Sequence, residues 1–350
     1  MFDFEYVGNL HIHTNRSDGA ADLLRIAESA SRLNLDFIIT NDHAHMMEAL
    51  HQDEEGFYGK VLVLLGLEIG ERYHHYLAFG LKSEIPPKDL SPQQTIDWVT
   101  GQGGFGFMAH PFEKGMPWRE KSIAYTWNEL SVTGYTGLCL WNFTSRWKER
   151  IRSILHGLFC VYFNTQALQG PSQETLSFWD KECLKRRVVS IGGSDAHGSV
   201  LQWKHLAFTP LTYDYLLNSI NIHVLLNRRM ARDFGEAKKD VLNAIQEGRL
   251  FIAHDNLCPA KGFRFHFFST DGVDLYIGEE GTFQPGQIVV ELPSEGEIRL
   301  VRDGKMVERW RGREAVYSVR EAGVYRIEVY RHLFFFGWRP WIFSNPIYLR

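Results

Sequence analysis

The sequence YVGNLHIH, residues 6–13, decides the predicted fold. Residues 6–10 predict a short apolar strand, and His11 and His13 come directly after it, two positions apart. Because residues i and i+2 of a strand point to the same face, both imidazoles can reach one ion. The reactive groups of α/β barrels lie at the carboxyl ends of the strands, so this stretch indicates both a fold class and a metal site.

Strand-like and helix-like segments alternate over the first two thirds of the chain. Further strands are predicted at residues 37–39, 61–65, 105–108, 137–140 and 188–191, and helices at 20–33, 92–101, 146–159 and 172–186. Continuous apolar runs separated by helices indicate a parallel sheet that is buried on both faces. About seven such units favour a closed or nearly closed barrel over an open sheet.

The sequence pattern changes after residue 254. Helical periodicity stops, and short alternating runs begin, with a two-residue hairpin signal at Asp303-Gly304. Residues 213–250 are expected to form helices that lead into this part. We therefore predict two domains, residues 1–257 and a small antiparallel, sandwich-like β-domain at residues 258–350.

Composition and charge exclude several classes of function. The chain has 350 residues, 44% of them hydrophobic, and a formal net charge of −4. It can therefore bury a full core, and it offers no electrostatic case for nucleic acid or an anionic membrane. The four cysteines lack CxxC spacing, which excludes a zinc finger and favours a reducing compartment. Neither a signal peptide nor an apolar run near the roughly 20 residues of a membrane span is recognisable, so a cytoplasmic protein is expected.

Other predicted strands and turns supply further candidate ligands. They are Asp18, His43, Glu68, His74 or His75, His110, Asp195 and His197. Glu68 follows the apolar run 61–67, where an unpaired carboxylate is unfavourable unless it binds a cation. Each motif alone is also compatible with a surface role, but together they favour a multinuclear metal site.

The order of these motifs resembles that of a known family. The motifs are HIH (11–13), SDG (17–19), TNDH (40–43), GLE (66–68), HHYLAFG (74–80), AHP (109–111) and GGSDAH (192–197). In this order they resemble the PHP (polymerase and histidinol phosphatase) superfamily, and within it the stand-alone metal-dependent phosphoesterases. The resemblance spans residues 11–197 and implies a distorted (β/α)7 barrel that binds up to three divalent metals. One departure is Asn41, which stands where many members have threonine.

The resemblance also implies a set of metal ligands. They are His11, His13, Asp18, His43, Glu68, His75, His110, Asp195 and His197. By the same likeness, His11, His13, Glu68 and Asp195 would hold one metal, and Glu68 would bridge to a second held by His75 and His110. The third would be held by Asp18, His43 and His197. Glu68, Asp195 and His197 are predicted as catalytic residues. His75 is preferred to His74 because it stands where the family has the histidine that opens its H-x-L-x-x-G strand.

The C-terminal part resembles a branch of the same superfamily. EGRLFI (247–252) and PWIFSNPIY (340–348) are similar to the endings of CehA/McbA-like metallohydrolases. Some members of that branch are named as carbamate or ester hydrolases. This likeness keeps a second type of substrate open.

The ligand chemistry favours hydrolysis. Nitrogen and carboxylate ligands without thiolates suit Mn, Fe or Zn, and clustered ions can activate a bridging hydroxide for attack on a phosphate ester. We expect a phosphoesterase for a small phosphorylated substrate such as a nucleotide or sugar phosphate. Arg16, Lys114, Arg119 and Asn142 are candidate substrate-binding residues, although loop cations and a helix-capping asparagine are equally ordinary.

Two alternatives stay open. The same site could hydrolyse a carboxylic ester, carbamate or amide. The protein could also be a non-catalytic regulatory or binding protein, although every expected ligand position is filled. The sequence favours no particular oligomeric state.

Overall fold

The protein is a mixed α/β structure with one large sheet. The computed structural model describes residues 2–82, 84–118, 124–199, 201–203, 206–270 and 272–350. Within these residues, one sheet has 18 strands, and a separate sheet has two. No helix in the described ranges is long and apolar enough to cross a membrane.

The described part of residues 2–257 contains twelve strands and eight helices. The strands are β1 (Phe4–Ile12), β2 (Phe37–His43), β3 (Gly56–Tyr58), β4 (Val61–Ile69), β5 (Tyr76–Phe79), β6 (Phe105–Met108), β7 (Gly137–Asn142), β8 (Val189–Gly193), β9 (Leu201–Trp203), β10 (Leu206–Phe208), β11 (Ile220–Leu226) and β12 (Leu250–His254). The helices are α1 (Leu23–Arg32), α2 (Pro92–Gly101), α3 (Phe143–Lys148), α4 (Ile154–Tyr162), α5 (Asn164–Ala167), α6 (Gln173–Lys185), α7 (Tyr213–Leu217) and α8 (Phe234–Gln246), with 3-10 turns at Ala44–Met46 and Gln52–Glu54.

Side-chain caps explain where the helices start. Asp22 accepts a hydrogen bond from the backbone N–H of Arg25 at the start of α1. Ser91 and Gln94 form a reciprocal capping box at the start of α2. The predicted helix 146–159 is wrong as a continuous element, because residues 149–153 separate α3 from α4. Ser153 is extended there and caps α4, a role for which serine is favoured.

The sheet mixes parallel and antiparallel pairings in the first part of the chain. β1, β2 and β4 pair in parallel, as do β6, β7 and β8. β5 lies antiparallel between β4 and β6, so the predicted parallel sheet is wrong at this strand. The connection from β4 to β5 spans only residues 70–75, which is too short for a crossover between parallel strands.

The segment after β8 lies beside the end of β1. The N–H of Ser194 donates to the carbonyl of Leu10 over 3.2 Å, and the N–H of His13 donates to the carbonyl of Ala196 over 2.9 Å. Ile12 and Ala196 form a single parallel bridge. These bonds connect the two ends of the strand series, but β1 and β8 form no continuous ladder, so a closed barrel stays a prediction.

A strand occupies part of the region predicted as helical. β11 pairs antiparallel with β1 and with β12, and all seven of its residues are buried. The prediction of helices throughout residues 213–250 is therefore wrong at β11, while α7 and α8 are helical. The sequence Ile220–Leu226 contains Ile, Val and Leu in a run that fits a buried strand.

The last part of the chain is built from strands. They are β13 (Arg264–Ser269), β14 (Asp274–Tyr276), β15 (Glu280–Gly281), β16 (Gly286–Arg302), β17 (Lys305–Val319), β18 (Gly323–Leu333), β19 (Gly337–Ser344) and β20 (Ile347–Leu349). The hairpin signal is confirmed, since Asp303 and Gly304 have φ of 53° and 78° between β16 and β17. The pairings are antiparallel except for β15 with β20.

The main sheet continues from the first part of the chain into the last. β12 pairs with β19. A second cluster of buried apolar residues combines Leu225, Phe251 and Ala253 with side chains from residues 260–349. The first cluster extends from Leu10 to Ile252 and includes three residues of the last part, Val324, Phe343 and Tyr348. The boundary at residues 257 and 258 falls in the turn after β12 and stays a prediction.

Candidate metal centre

All nine predicted metal ligands lie in one cluster. His11 and Glu68 are the penultimate residues of β1 and β4, His43 ends β2, and His75 precedes β5. Groups of three or four of their ligand atoms lie within 4.8 Å of one another. The groups are His13, Asp18, His43 and His197; His11, His110 and Asp195; His11, His13 and Glu68; and His43, Glu68 and His75.

Glu68 lies at the centre of the cluster. Its side chain is 1% exposed, and its Oε1 lies 2.9 Å from Nδ1 of His75. Four further imidazole nitrogens face its two oxygens, at 3.2 Å for His11, His43 and His110 and 3.5 Å for His13. Burial alone would raise the pKa of Glu68, but the surrounding histidines hold it well below its ordinary value. The carboxylate is therefore ionised.

Asp18 gathers a second part of the cluster. Its Oδ1 lies 3.5 Å from Nδ1 of His13, and its Oδ2 lies 3.3 Å from Nε2 of His197 and 3.7 Å from Nε2 of His43. The predicted trio Asp18, His43 and His197 is thus together, with His13 as a fourth member.

Asp195 connects the two parts. Its Oδ1 lies 3.4 Å from Nε2 of both His11 and His13, and 3.5 Å from Nδ1 of His197. Asn142 donates a hydrogen bond to the other oxygen over 3.2 Å. The groups of ligand atoms therefore share members, and the division into three separate ligand sets stays a prediction.

Three of the nine residues have a left-handed backbone. His11, His110 and Asp195 have φ of 62°, 28° and 53°, where a residue with a Cβ is strained by roughly 1–3 kcal/mol. Asn41 holds the first of them, because its Oδ1 accepts the N–H of His11 over 3.1 Å. The Thr144 hydroxyl donates to the carbonyl of Asp195 over 2.9 Å. Such strain concentrates at functional sites.

Several buried imidazole nitrogens in this cluster have no hydrogen-bond partner among the described residues. They are Nδ1 and Nε2 of both His11 and His13, Nδ1 of His43 and Nε2 of His75. Buried polar atoms are normally paired, so a concentration of unpaired ligand atoms in one place points to a bound cation. Burial and the nearby His197 lower the pKa of His13 to about 3, which keeps its imidazole neutral, as a ligand must be. The cluster fits a divalent metal site of nitrogen and oxygen donors.

Of the two adjacent histidines, His75 faces the cluster and His74 does not. His74 turns away, and its Nε2 accepts the N–H groups of Asn128 and Glu129 at 3.1 and 3.3 Å. His110 is oriented by its other nitrogen, since Nδ1 donates to the carbonyl of Tyr125 over 2.7 Å. This leaves Nε2 of His110 facing Glu68, as expected of a metal-binding histidine.

Asp42 holds the loop that carries Asp18, a role that sequence reasoning missed. It accepts the N–H and the hydroxyl of Thr14 at 2.7 and 2.9 Å, and the hydroxyl of Ser17 at 2.5 Å. The signal in the sequence was its position beside His43 in TNDH, which marks it as part of the site without giving its role.

The four predicted substrate-binding residues lie in different places. Arg16 forms an ion pair with Glu54 beside a small separate cavity, and Lys114 pairs with Glu174 over 2.5 Å. Asn142 is buried, caps α3 and orients Asp195. Arg119 lies outside the described residues. Substrate binding by these residues stays a prediction.

A cavity of about 600 Å³ opens over the cluster. Six of the nine candidate ligands line it, namely Asp18, His43, His75, His110, Asp195 and His197. Glu113 and Lys148 also line it and form an ion pair over 2.7 Å. Sequence reasoning missed this pair, because a buried glutamate in a loop has no local signature.

Comparisons with known proteins give distant structural likenesses. No protein-family model matches the chain, and no curated protein matches it. A two-domain protein from Bacteroides vulgatus, described as containing a predicted PHP-like metal-dependent phosphoesterase, is 16% identical with a TM-score of 0.47 over 93% of this chain and 90% of that one. PsfC from Pseudomonas syringae is 13% identical with a TM-score of 0.40, over 69% and 89% of the two chains.

A third solved structure is a candidate metal-dependent phosphoesterase from Bifidobacterium adolescentis. It is 16% identical with a TM-score of 0.32, over 54% of this chain and 87% of that one. Two of these three neighbours are described as metal-dependent phosphoesterases. The likeness of the C-terminal part to CehA/McbA-like metallohydrolases stays a prediction. The functional conclusions below rest on the residues of this chain.

Proposed function

We propose that the protein is a metal-dependent phosphoesterase that hydrolyses a small phosphorylated substrate. The observation that carries this proposal is Glu68, a fully buried carboxylate within 3.5 Å of five imidazoles. A buried charge of this kind is retained when it is paired or binds a cation. Its two oxygens face different histidines, which supports a bridging position between two ions.

The cluster would hold up to three divalent ions of Mn, Fe or Zn, shared among the nine residues named above. When bound, such ions lower the pKa of a water molecule and offset the negative charge that develops on a phosphate ester. Glu68 hydrogen-bonds to His75 and His110 and so orients both rings. Asp195 and His197 lie at the wall of the cavity, where they can contact substrate and accept or donate a proton.

We also infer that the strands of this part form a distorted (β/α)7 barrel. The hydrogen bonds between residues 194–196 and the end of β1 support it. The region from residue 258 onward would be a supporting domain, since β19 extends the sheet beside β12.

Metal analysis and hydrolysis assays test the proposal. The manganese-loaded protein is expected to hydrolyse p-nitrophenyl phosphate, and chelation is expected to abolish the activity. The double variant H11A/D195A should lose bound metal and activity together. The matched control is H332A, which removes an exposed histidine on β18 far along the chain from the cluster motifs. Unchanged metal content in the double variant would contradict the proposal and favour a non-catalytic role.

A second candidate is hydrolysis of a carboxylic ester, carbamate or amide. The observation that favours it is the charge of the cavity wall. Among the described residues, Lys148 is the only lysine or arginine that lines the cavity, and Glu113 pairs with it. A phosphate dianion is usually met by further cations. Turnover of p-nitrophenyl acetate without turnover of p-nitrophenyl phosphate would select this candidate.

A further inference from the structure

One wall of the cavity is an apolar helix face. Ile154, Gly157, Leu158 and Val161 of α4 line the cavity, and their spacing places them on one side of the helix. Ile154 and Leu158 are 63% and 60% exposed, so apolar side chains in this wall lack a protein partner over most of their surface. Apolar surface left open in a concave wall favours contact with an apolar group.

The other walls have the same character. Met116 and Trp118, Trp147 and Ile151, and Leu211 and Leu216 come from separate parts of the chain and line the same cavity. Trp118 is 49% exposed. Aromatic and aliphatic side chains thus surround the space on more than one side.

Besides the metal cluster, the polar side chains of the described wall are Glu113, Tyr125, Thr144, Lys148, Ser153 and Ser199. Within each group of the cluster the ligand atoms lie within 4.8 Å of one another, and the single lysine of the described wall pairs with Glu113. The remaining lining is dominated by the apolar residues named above. A volume of about 600 Å³ is that of a pocket for a whole organic ligand.

We infer that the substrate carries a large apolar group, alkyl or aryl, next to its hydrolysable head group. The head group binds at the metal cluster, and the apolar group lies against Leu158 and the tryptophans. The inference rests on the proposed function for the position of the head group. The apolar wall would select the same class of substrate for a phosphate ester and for a carboxylic ester.

Binding of alkylphosphonates tests the inference without turnover. Methyl-, ethyl-, propyl- and butylphosphonate are titrated into the manganese-loaded protein by calorimetry. Each added methylene is expected to lower Kd about fourfold, which makes butylphosphonate about 60-fold tighter than methylphosphonate. In metal-free protein the absolute affinities should fall, while the ratio of butyl to methyl should persist, because the wall and not the metal sets it.

Two variants of α4 form a matched pair. L158N places an amide in the cavity wall and should reduce the butyl-to-methyl ratio to less than tenfold. L155N makes the same substitution at a position that is 80% exposed and does not line the cavity. Both variants lose the same helix propensity, because both replace leucine by asparagine in α4. L155N should nevertheless keep the full butyl-to-methyl ratio.

The outcomes separate this inference from the proposed function. A butyl-to-methyl ratio below twofold in the unmodified protein overturns the inference, whatever the hydrolysis assays show. An equal loss of the ratio in L155N and L158N also overturns it, because the effect would then be on the helix and not on the wall. A ratio that depends on Leu158 in a protein without phosphatase activity supports the inference and contradicts the phosphoesterase proposal.

Discussion

Replacement of His223 by glutamine is expected to change how stability depends on pH. His223 on β11 is buried between two carboxylates, with Nδ1 2.8 Å from Glu5 and Nε2 3.0 Å from Asp255. Its ring also stacks on Phe251, with centroids 4.4 Å apart. Glu5 additionally accepts a hydrogen bond from Arg264 over 2.6 Å. The four charged residues thus connect β1, β11, the turn after β12 and β13.

The size of the effect follows from the histidine pKa. Burial would lower the pKa of His223, but the carboxylates of Asp255 and Glu5 raise it from 6.5 to about 9. This rise in the pKa of His223 corresponds to about 3 kcal/mol in the free energy of unfolding. Because the folded-state pKa is the higher one, this stabilisation is complete below pH 6.5 and is lost as the pH rises through 9. The pKa values of Glu5 and Asp255 are lowered, so both stay ionised throughout this window.

Thermal unfolding at pH 6 and pH 9.5 measures the effect. For 350 residues the unfolding entropy is about 0.7 kcal/mol/K, so 3 kcal/mol corresponds to about 4 °C in Tm. The gap in Tm between the unmodified protein and H223Q should therefore shrink by about 4 °C from pH 6 to pH 9.5. Loss of the ring on Phe251 adds a difference that does not depend on pH.

The control is H332Q, the same substitution at an exposed histidine of β18. It should leave the pH dependence of Tm unchanged. The histidines of the metal cluster contribute equally to the Tm of the unmodified protein and of each variant when the metal content is the same. Their contribution therefore cancels in the difference in Tm. The reasoning would be refuted if the difference in Tm between the unmodified protein and H223Q were the same at both pH values within 1 °C.

Three further substitutions test residues that support the metal centre. D42A should release the loop that carries Asp18 and lower the affinity of one metal by 10- to 100-fold, which metal titration would detect as a weakened site beside unchanged ones; uniform weakening of all sites would count against it. N142A should lower stability by about 1 kcal/mol through the lost helix cap and reduce activity through Asp195, whereas full activity would show that the hydrogen bond does not orient that carboxylate. G137A should destabilise the protein by about 3 kcal/mol, because an added Cβ would lie 1.7 Å from a carbonyl oxygen of β8; unfolding at an unchanged temperature would contradict this.

The ligand set could be predicted from the sequence because most of the ligands lie at or just after the end of a strand. The apolar runs fix where β1, β2, β4, β6 and β8 stop, and parallel strands present their ends at one edge. The boundaries of α2 and β6 agree with the predicted ones residue for residue. Position relative to a strand end is a local property, so one sequence is enough to find it.

The groups that orient the ligands could not be predicted in the same way. Asn41 supports His11 across 30 positions, and Glu113 reaches Ser145 and Lys148 from a loop. These contacts depend on how separate segments meet, which no local pattern records. β11 was missed for the same reason, because its buried run is bounded by helices and gains its partners from β1 and β12.

The strain in the cluster bears on how it binds metal. His11, His110 and Asp195 keep a left-handed backbone, a conformation that is free of strain only for glycine. Such conformations persist only where the surrounding structure over-determines them. Asn41 and Thr144 do so from β2 and α3, which are regular elements and not mobile loops. His11 and Asp195 are therefore positioned before metal binds, whereas Asp18 depends on a loop held by Asp42. Metal affinity should accordingly be highest around Glu68 and lowest at the part of the cluster that contains Asp18.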